Sequence, residues 1–217
     1  MADFVSARNT MIDNQLRPGG VNDHRLLAAI AQVRRELFVP EGRQLLAYSD
    51  VDHALGGDRY LGQPAVVARL MQLAEIKPSD HVLDVGAGTG YGVAVLSRLA
   101  AQVTGLEVDP ALAAKARENL AAEGIDNGQV VVGSFDGGAL SDARYDVIVI
   151  EGSVEAEPSA FFAHLSEGGR LVALVGRAGS ATAMRYVRSG VEVTALSAFN
   201  GTLPPLARTD RSDAFHF

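Results

Sequence analysis

The fold of this chain is indicated first by the stretch Asp84-Val85-Gly86-Ala87-Gly88-Thr89-Gly90. It follows an apolar run at residues 81–85 and precedes a segment of helical periodicity that begins at Tyr91. In an open α/β sheet, a ligand lies outside the carboxyl ends of the strands, where such strand-to-helix turns are found. Glycine there lets the backbone turn tightly and approach a ligand with no Cβ in the way. The stretch therefore predicts a binding loop at the edge of a sheet.

Strand and helix patterns alternate around this loop from about Pro78 onward. Strands are predicted at residues 81–85, 102–107, 129–132, 145–150, 170–175, 184–187 and 191–199, and helices at 91–99, 110–123 and 159–165. Continuous apolar strands separated by helices are typical of a mainly parallel sheet with both faces covered. We therefore expect an α/β, Rossmann-like core over residues 78–217.

Residues 1–77 carry weaker patterns and are interpreted as an N-terminal helical extension packed on the same domain. Apolar residues from Leu26 to Val33 recur at helical spacing after the capping pair Asn22-Asp23. Pro64 is well placed as the first residue of a helix that reaches about Glu75. Residues 51–61 contain two adjacent glycines and are predicted to form a loop.

The amino-acid composition limits the classes of protein to which this chain can belong. The chain has 217 residues, 47% of them hydrophobic, and a formal net charge of -7, which disfavours non-specific nucleic-acid binding. There is no cysteine, so thiolate chemistry and disulfides are excluded. No apolar stretch approaches the roughly 20 residues that span a bilayer, and the N-terminus lacks a secretory pattern. We expect a cytoplasmic protein with no membrane or nucleic-acid partner; the oligomeric state stays open.

The strand after the loop ends in an acid, Glu107, followed by Val108. A carboxylate in that place can accept hydrogen bonds from both hydroxyls of an adenosine ribose. A dinucleotide site needs a further glycine where Tyr91 stands, whereas S-adenosylmethionine carries no phosphate and tolerates this spacing. Asp84 can face the cationic methionine end. The dinucleotide site and a plain strand-to-helix turn remain as alternatives.

Further candidates follow the next strands of the predicted sheet. Ser134, Phe135 and Asp136 could contact the adenine, with Asp136 as the partner of its amino group and Phe135 packed on the ring. Glu151 follows the fourth strand of the core and faces the reaction region. Asp136 and Glu151 could equally be solvated acids. The predicted cofactor contacts are Asp84, Gly86, Ala87, Gly88, Thr89, Gly90, Glu107, Val108, Ser134, Phe135, Asp136 and Glu151.

A second set of motifs lies mostly upstream of the loop. Residues 33–40 read Val-Arg-Arg-Glu-Leu-Phe-Val-Pro, 47–50 read Ala-Tyr-Ser-Asp, 55–56 read Leu-Gly, 62–68 read Gly-Gln-Pro-Ala-Val-Val-Ala, and 165–171 read Leu-Ser-Glu-Gly-Gly-Arg-Leu. From about residue 16 to 175 the chain resembles the protein-L-isoaspartate O-methyltransferases, with their Val-Pro-Arg-Glu-x-Phe-Val-Pro, Ser-Gln-Pro-x-x-Val-Ala and Leu-x-Pro-Gly-Gly-Arg-Leu stretches. The resemblance implies a seven-stranded class I methyltransferase sheet with extra N-terminal helices. It also implies S-adenosylmethionine as cofactor and the carboxylate of isoaspartyl residues in damaged proteins as substrate.

The substrate loop departs from the family. Its Gly-x-Gly-Gln-Thr-Ile-Ser-Gln-Pro falls on residues 56–64, so the family's serine is Gly62, its threonine Tyr60 and its glutamine Arg59. We take these three as the candidate catalytic positions. A guanidinium can hold a carboxylate through two parallel bonds, and a phenol can donate one. Alternatively, Arg59 and Tyr60 merely cover the loop surface.

Three functions remain at this point. The first is carboxyl methylation of isoaspartyl type, and the second is methylation of another substrate on the same scaffold. The third is a cofactor-binding protein with weak catalysis, because the serine is missing. The histidines show no metal-ligand spacing, so no metal site is predicted, and His53 is expected to be exposed to solvent.

Overall fold

Five α-helices and nine strands form in the computed structural model, which describes residues 3–140, 142–177 and 179–207. The helices are α1 (Phe4–Met11), α2 (His24–Gln32), α3 (Pro64–Leu73), α4 (Tyr91–Ser97) and α5 (Pro110–Ala122). The strands are β1 (His53–Gly56), β2 (Arg59–Leu61), β3 (His81–Val85), β4 (Gln102–Glu107), β5 (Gly128–Val132), β6 (Tyr145–Val154), β7 (Leu165–Arg177), β8 (Ser180–Ser189) and β9 (Glu192–Gly201). A π-helix covers Ile12–Leu16, and 3₁₀ helices cover Arg35–Leu37, Gln44–Leu46, Gly138–Leu140 and Ser159–His164.

The main sheet has seven strands in the order β5-β4-β3-β6-β7-β8-β9. The strands β3 to β7 pair in parallel, while β8 pairs antiparallel with β7 and β9 with β8. The mostly parallel seven-stranded sheet predicted from the alternating pattern is therefore confirmed. Because β3, β4 and β6 are parallel neighbours, the residues that end them meet at one edge of the sheet.

The two faces of the sheet are covered differently. All five α-helices contribute buried side chains to one hydrophobic cluster, together with Val82 of β3 and Val147 of β6. On the other face, the buried members of the second cluster that lie outside the sheet are Leu140, Phe161 and Leu206. Two of them come from 3₁₀ helices, so the expected helices cover both faces, with α-helices on the first face and 3₁₀ helices on the second among the described residues. The helix predicted at 159–165 is a 3₁₀ helix, Ser159–His164.

The predicted loop at residues 51–61 is instead a small hairpin of β1 and β2. Its turn uses three residues with positive φ: Gly56 at 101°, Gly57 at 55° and Asp58 at 60°. Left-handed backbone is what tight hairpin turns require, and two of the three residues are glycines. The two glycines therefore mark the turn of a hairpin, and the hairpin brings Arg59 and Leu55 to the edge of the main sheet.

The chain after β9 returns to the carboxyl end of β6. Pro205 forms a parallel bridge with Ser153, the Ser153 amide donates to the Pro204 carbonyl at 3.0 Å, and the Leu206 amide donates to the Ser153 carbonyl at 2.9 Å. These bonds place Leu203 and Leu206 over the sheet edge where the glycine loop lies. Of the C-terminal segment 201–217, residues 208–217 lie outside the described part.

The described residues before Pro78 share their hydrophobic cluster with the sheet, as Met11, Leu26 and Val67 pack in one cluster with Val93 of α4. The division into an extension and a core at this point stays a prediction. Across the described ranges, the helices are too short or too polar for any of them to cross a membrane.

Candidate functional site

The glycine loop is held to the neighbouring strand by its own backbone. The amides of Gly86 and Ala87 both donate to the carbonyl of Leu106, at 2.9 and 3.1 Å. Gly86, Gly88 and Gly90 have φ of 89°, 53° and 95°, a region that L-residues with side chains rarely adopt. The backbone conformation of the loop therefore favours glycine at these positions, independently of any ligand.

The three glycines face different surroundings. A Cβ at Gly86 would lie 2.6 Å from Cδ1 of Leu206, and one at Gly88 would lie 2.8 Å from Cδ1 of Leu55. A Cβ at Gly90 would instead lie 3.1 Å from Cβ of Ala116 on α5. Gly86 and Gly88 thus lie under the side chains of Leu206 and Leu55, whereas Gly90 allows α5 to pack closely.

Glu107 is fully buried and organises this edge of the sheet. Its carboxylate accepts hydrogen bonds from the amides of Gly88 at 2.7 Å, Val108 at 2.9 Å and Asp109 at 3.1 Å. It also forms an ion pair with Arg59, whose Nε lies 3.2 Å from Oε1. The acid at the end of β4 therefore fixes the glycine loop, the start of α5 and the hairpin at once.

Asp84 and Glu151 are buried acids whose environment disfavours charge. Neither oxygen of Asp84 has a hydrogen-bond partner among the described residues, nor does Oε1 of Glu151. Burial, then the charges of Glu151 and Glu107, raise the pKa of Asp84 well above its usual value. Burial raises the pKa of Glu151 to about 7, although Arg35 and Arg59 oppose the shift. Such a pair is suited to bind a cation.

Gly92 separates these two acids and was not among the predicted site residues. A Cβ at this position would overlap Oε1 of Glu151 and lie 2.7 Å from Oδ2 of Asp84. The residue lies in the first turn of α4, directly after the glycine loop. Its place next to the loop is the only signal in the sequence, because the contact with Glu151 depends on how β6 pairs with β3.

The predicted catalytic positions come together at one small cavity. Arg59, Tyr60, Gly62 and Glu151 line a cavity of about 10 Å³ with residues 203–205. Tyr60 is half-buried, which fits a phenol that faces the cavity. The guanidinium of Arg59 is engaged by Glu107, so it can hold a substrate carboxylate only if this ion pair opens.

Leu203 fills the space that a serine would occupy at position 62. A Cβ at Gly62 would lie 2.9 Å from Cδ2 of Leu203 and 2.9 Å from Cγ2 of Val67. The carbonyl of Gly62 accepts a hydrogen bond from Nη2 of Arg35 at 2.7 Å. The glycine is therefore matched to its neighbours, and the family's serine could not be restored here without their movement.

Arg35 beside the hairpin and His53 at its first position were not predicted to belong to the site. Arg35 is fully buried, donates to the carbonyls of Ala47 and Gly62, and stacks 4.5 Å from the ring centroid of Tyr91. His53 is buried as well, so the expectation that it is exposed is wrong. Burial and the charge of Arg35 lower the pKa of His53 to about 4, so it is neutral at pH 7.

Two of the predicted loop and strand-end residues have structural contacts. The hydroxyl of Thr89 donates to the carbonyl of Phe38 at 2.5 Å. Val108 is 45% exposed and uses only its amide, which donates to Glu107. Thr89 thereby ties the glycine loop to the segment that carries the upstream motif.

The predicted adenine contacts lie at the outer end of the site. The ring of Phe135 is half-buried, with its centroid 5.0 Å from Cζ of Arg59. Ser134 and Asp136 are exposed, and Oδ1 of Asp136 accepts the Gly138 amide at 2.8 Å. Hydrogen bonds from Ser134 and then from Gly138 lower the pKa of Asp136. Asp136 is thus ionised and exposed, and its contact with adenine stays a prediction.

The residues present fit S-adenosylmethionine better than a dinucleotide. Two buried acids with unpartnered oxygens match its ammonium and sulfonium, and a pyrophosphate would be repelled by them. The cradle over Gly86 is narrow, since Leu206 and Arg59 already approach it. In residues 3–140, 142–177 and 179–207 there is no cluster of three or more histidines and acids that could hold a metal ion.

Comparison with known proteins places the chain in a single family. Residues 6–201 match the family model described as protein-L-isoaspartate(D-aspartate) O-methyltransferase. A protein-L-isoaspartate O-methyltransferase of Methanoculleus marisnigri is 40% identical over 169 residues, which is 78% of this chain and 77% of that protein. One from Koribacter versatilis is 42% identical over 176 residues, 81% of this chain and 79% of that protein.

Solved structures show the same fold. A protein-L-isoaspartate O-methyltransferase superposes with a TM-score of 0.78 at 25% identity over 91% of this chain. The match spans 65% of that longer chain. A Plasmodium falciparum protein, described as a putative protein-L-isoaspartate O-methyltransferase in complex with S-adenosyl-L-homocysteine, superposes with a TM-score of 0.79 at 19% identity. It covers 93% of this chain and 99% of its own.

Proposed function

The chain belongs to the protein-L-isoaspartate(D-aspartate) O-methyltransferase family, and we propose from this premise how its residues share the work of the reaction. Membership makes it an S-adenosylmethionine-dependent methyltransferase that acts on damaged proteins. The observation that carries our assignment of the site is the pair of buried acids, Asp84 and Glu151, with oxygens that lack partners. Such acids suit a cofactor that carries an ammonium and a sulfonium.

We assign the remaining cofactor contacts along the same edge of the sheet. Glu107 would accept the ribose hydroxyls, and the loop at residues 86–90 would lie against the methionine and ribose. Phe135 would pack on the adenine, with Ser134 and Asp136 at its polar edge. The support for this order is that β4, β3 and β6 end side by side, so their terminal residues follow one another across the site.

The reaction requires no proton transfer to or from the protein. When bound, S-adenosylmethionine supplies a methyl group that is already activated by its sulfonium. A carboxylate nucleophile is ionised at neutral pH, with an ordinary pKa near ~4, so no general base is needed. The chain therefore contributes proximity and alignment, which for well-oriented groups lower a barrier by about 7–11 kcal/mol. Missing a serine at position 62 removes an orienting hydrogen bond and no obligatory proton acceptor.

The substrate end of the site is formed by the hairpin and the chain after β9. Tyr60 and Arg59 would hold the isoaspartyl carboxylate of a protein or peptide, with Gly62 at the position of the family's serine. Residues 1–77 would present this hairpin to the substrate, while residues 78–217 bind the cofactor. A cytoplasmic location and the exclusion of nucleic acid as a partner stay predictions of the sequence.

The test is a methylation assay with labelled S-adenosylmethionine on paired peptides that contain L-isoaspartate or L-aspartate at one position. Transfer to the isoaspartyl peptide alone is the expected result. If S-adenosylhomocysteine binds tightly and neither peptide is methylated, the chain is instead the cofactor-binding protein with weak catalysis. Absence of cofactor binding in calorimetry would refute the assignment of the site.

Restoring serine at position 62 should help only when Leu203 is shortened. Because the new Cβ would lie 2.9 Å from both Leu203 and Val67, we expect Gly62→Ser alone to destabilise the fold by about 1–3 kcal/mol without faster methylation. Gly62→Ser with Leu203→Ala should methylate the isoaspartyl peptide about ten-fold faster than Leu203→Ala alone, since a hydrogen bond to a charged group contributes about 1.5–3 kcal/mol. Equal rates for the last two variants would show that position 62 does not limit the reaction.

Binding of S-adenosylmethionine should weaken about ten-fold between about pH 8 and pH 6, because the ionised fraction of a group with a pKa near ~7 falls by that factor. Burial sets the pKa of Glu151 at about 7 against the opposing charges of Arg35 and Arg59. Burial, and then the charges of Glu151 and Glu107, hold the pKa of Asp84 high. Only the ionised acids attract the cationic cofactor. Calorimetric dissociation constants at three pH values measure the effect.

The control is Glu151→Gln, which should flatten this dependence. The pH dependence of the free energy of unfolding gives an independent check that the pKa of Glu151 is raised in the folded state. A carboxyl with a raised pKa in the folded state contributes stability that is full below its unfolded value of 4.5 and is lost as the pH rises through about 7. The free energy of unfolding should therefore fall over that range in the native protein, and less so in Glu151→Gln. Unchanged cofactor affinity between the two pH extremes would contradict the role of Glu151.

A further inference from the structure

The guanidinium of Arg59 is bound to Glu107, the acid that we assign to the cofactor ribose. Its Nε lies 3.2 and 3.4 Å from the two oxygens of Glu107, and its Nη2 lies 3.3 Å from Oε2. Nη1 donates to the carbonyl of Leu206 at 2.6 Å. A Cβ at Gly86 would lie 2.8 Å from Nη2, so the guanidinium rests directly on the glycine loop. The side chain is buried at 4% exposure.

Glu107 has no acceptor capacity left while Arg59 is bound. A carboxylate offers about four lone-pair sites. The amides of Val108 and Asp109 use Oε1 and that of Gly88 uses Oε2, and Arg59 binds both oxygens. The backbone bonds belong to the fold of the loop and of α5. Ribose hydroxyls can therefore bind Glu107 only after Arg59 leaves it.

The released side chain has a defined place to go. Arg59 is the first residue of β2 and lines the small cavity shared with Tyr60 and Gly62, where the substrate carboxylate is expected. Glu151 lines the same cavity, and its carboxylate repels an anionic substrate when it is ionised. Within the site, a substrate carboxylate needs a cation to offset that repulsion, and Arg59 is the cation that the hairpin supplies.

We propose that Arg59 is a substrate-binding residue whose guanidinium leaves Glu107 for the substrate carboxylate when the cofactor ribose binds, so that bound cofactor strengthens the binding of the peptide. This inference rests on the proposed function. It assigns to one side chain both the competition with cofactor and the capture of substrate. Cofactor and peptide then bind with positive coupling, because each removes a competing partner of the same guanidinium.

Calorimetry on the native protein tests the coupling directly. The dissociation constant of an isoaspartyl peptide is measured with and without saturating S-adenosylhomocysteine. We expect the peptide to bind at least about 5-fold tighter when the nucleoside is present, the lower end of common allosteric couplings. Equal peptide affinity in both conditions overturns the proposal, and this result needs no variant.

Arg59→Gln, which carries the family's residue, separates the two roles. S-adenosylhomocysteine should bind this variant about 5-fold tighter, because no guanidinium competes for Glu107, while the KM for the peptide rises about ten-fold and the coupling disappears. A merely structural arginine would weaken both ligands, and weaker nucleoside binding would overturn the proposal.

Arg69→Gln is the matched control, since Arg69 on α3 also stacks on an aromatic ring, Phe199, 3.7 Å from its centroid and away from the site. It should change neither constant. If native protein binds no S-adenosylhomocysteine, the proposed function fails. If it binds and methylates but the coupling is absent, only this inference fails.

Discussion

Replacing Glu107 by glutamine is expected to weaken S-adenosylhomocysteine binding by more than about 100-fold, since two hydrogen bonds to a charged acceptor contribute about 1.5–3 kcal/mol each. The same change removes the counter-ion of Arg59. Both side chains of this ion pair are buried, with 4% exposure for Arg59 and 0% for Glu107. Breaking a buried ion pair costs about 3–5 kcal/mol. Glutamine keeps the shape and one acceptor oxygen for the backbone amides, so the fold should persist at reduced stability. Calorimetry and urea unfolding measure the two effects.

Glu118→Gln is the control for this substitution. Glu118 lies on α5 and pairs with Lys115 at 3.2 Å, where both side chains are more than half exposed. Exposed pairs of this kind contribute only about 0–1 kcal/mol, so neither stability nor affinity should change much. Native affinity in Glu107→Gln would mean that the ribose is bound elsewhere, and the assignment of the acid at the end of β4 would be wrong.

The core of the fold was predictable because its signals are local. The boundaries of β3 and β4 agree with the predicted 81–85 and 102–107, since the first strand runs into the glycine loop and the second ends at an acid. Asp23 caps α2 and Pro64 begins α3, as their residue types indicate. Glu107 could be singled out from its place at a strand end, without knowledge of its contacts.

The hairpin could not be predicted, because its strands are too short to show an alternating pattern. β1 has four residues and β2 has three, and both strands are stabilised by contacts with distant parts of the chain. His53 of β1 is covered by the segment around Arg35, and Arg59 of β2 is held by Glu107. Both contacts join residues far apart in the chain, so residue type alone suggested exposure for His53 and substrate binding for Arg59.

The covering side chains are the second feature that sequence patterns do not reveal. Leu203 fills the space beside Gly62, and Leu206 lies over Gly86, from a C-terminal segment with only loose resemblance to the family. Glycine in place of the serine at position 62 and leucine at position 203 thus depend on each other. This dependence is visible only in the three-dimensional structure. A substitution at either position therefore has to be interpreted together with the other.

Gly92→Ala should abolish tight binding of S-adenosylmethionine, with a dissociation constant raised more than about 100-fold, although alanine normally stabilises a helix by about 0.5–1 kcal/mol relative to glycine. The added methyl group would overlap Oε1 of Glu151 and lie 2.7 Å from Oδ2 of Asp84. Both acids are buried in packed surroundings, so they must turn away from the cation that they bind. Overpacking of this kind costs about 1–3 kcal/mol of stability. Gly201→Ala is the matched control, because its Cβ would meet only side-chain atoms of Val66, Leu174 and Phe199, at 3.3–3.5 Å and without overlap. Thermal unfolding verifies that both variants fold, and calorimetry gives the affinity. Native affinity in a folded Gly92→Ala variant would show that the cationic end of the cofactor does not lie between Asp84 and Glu151.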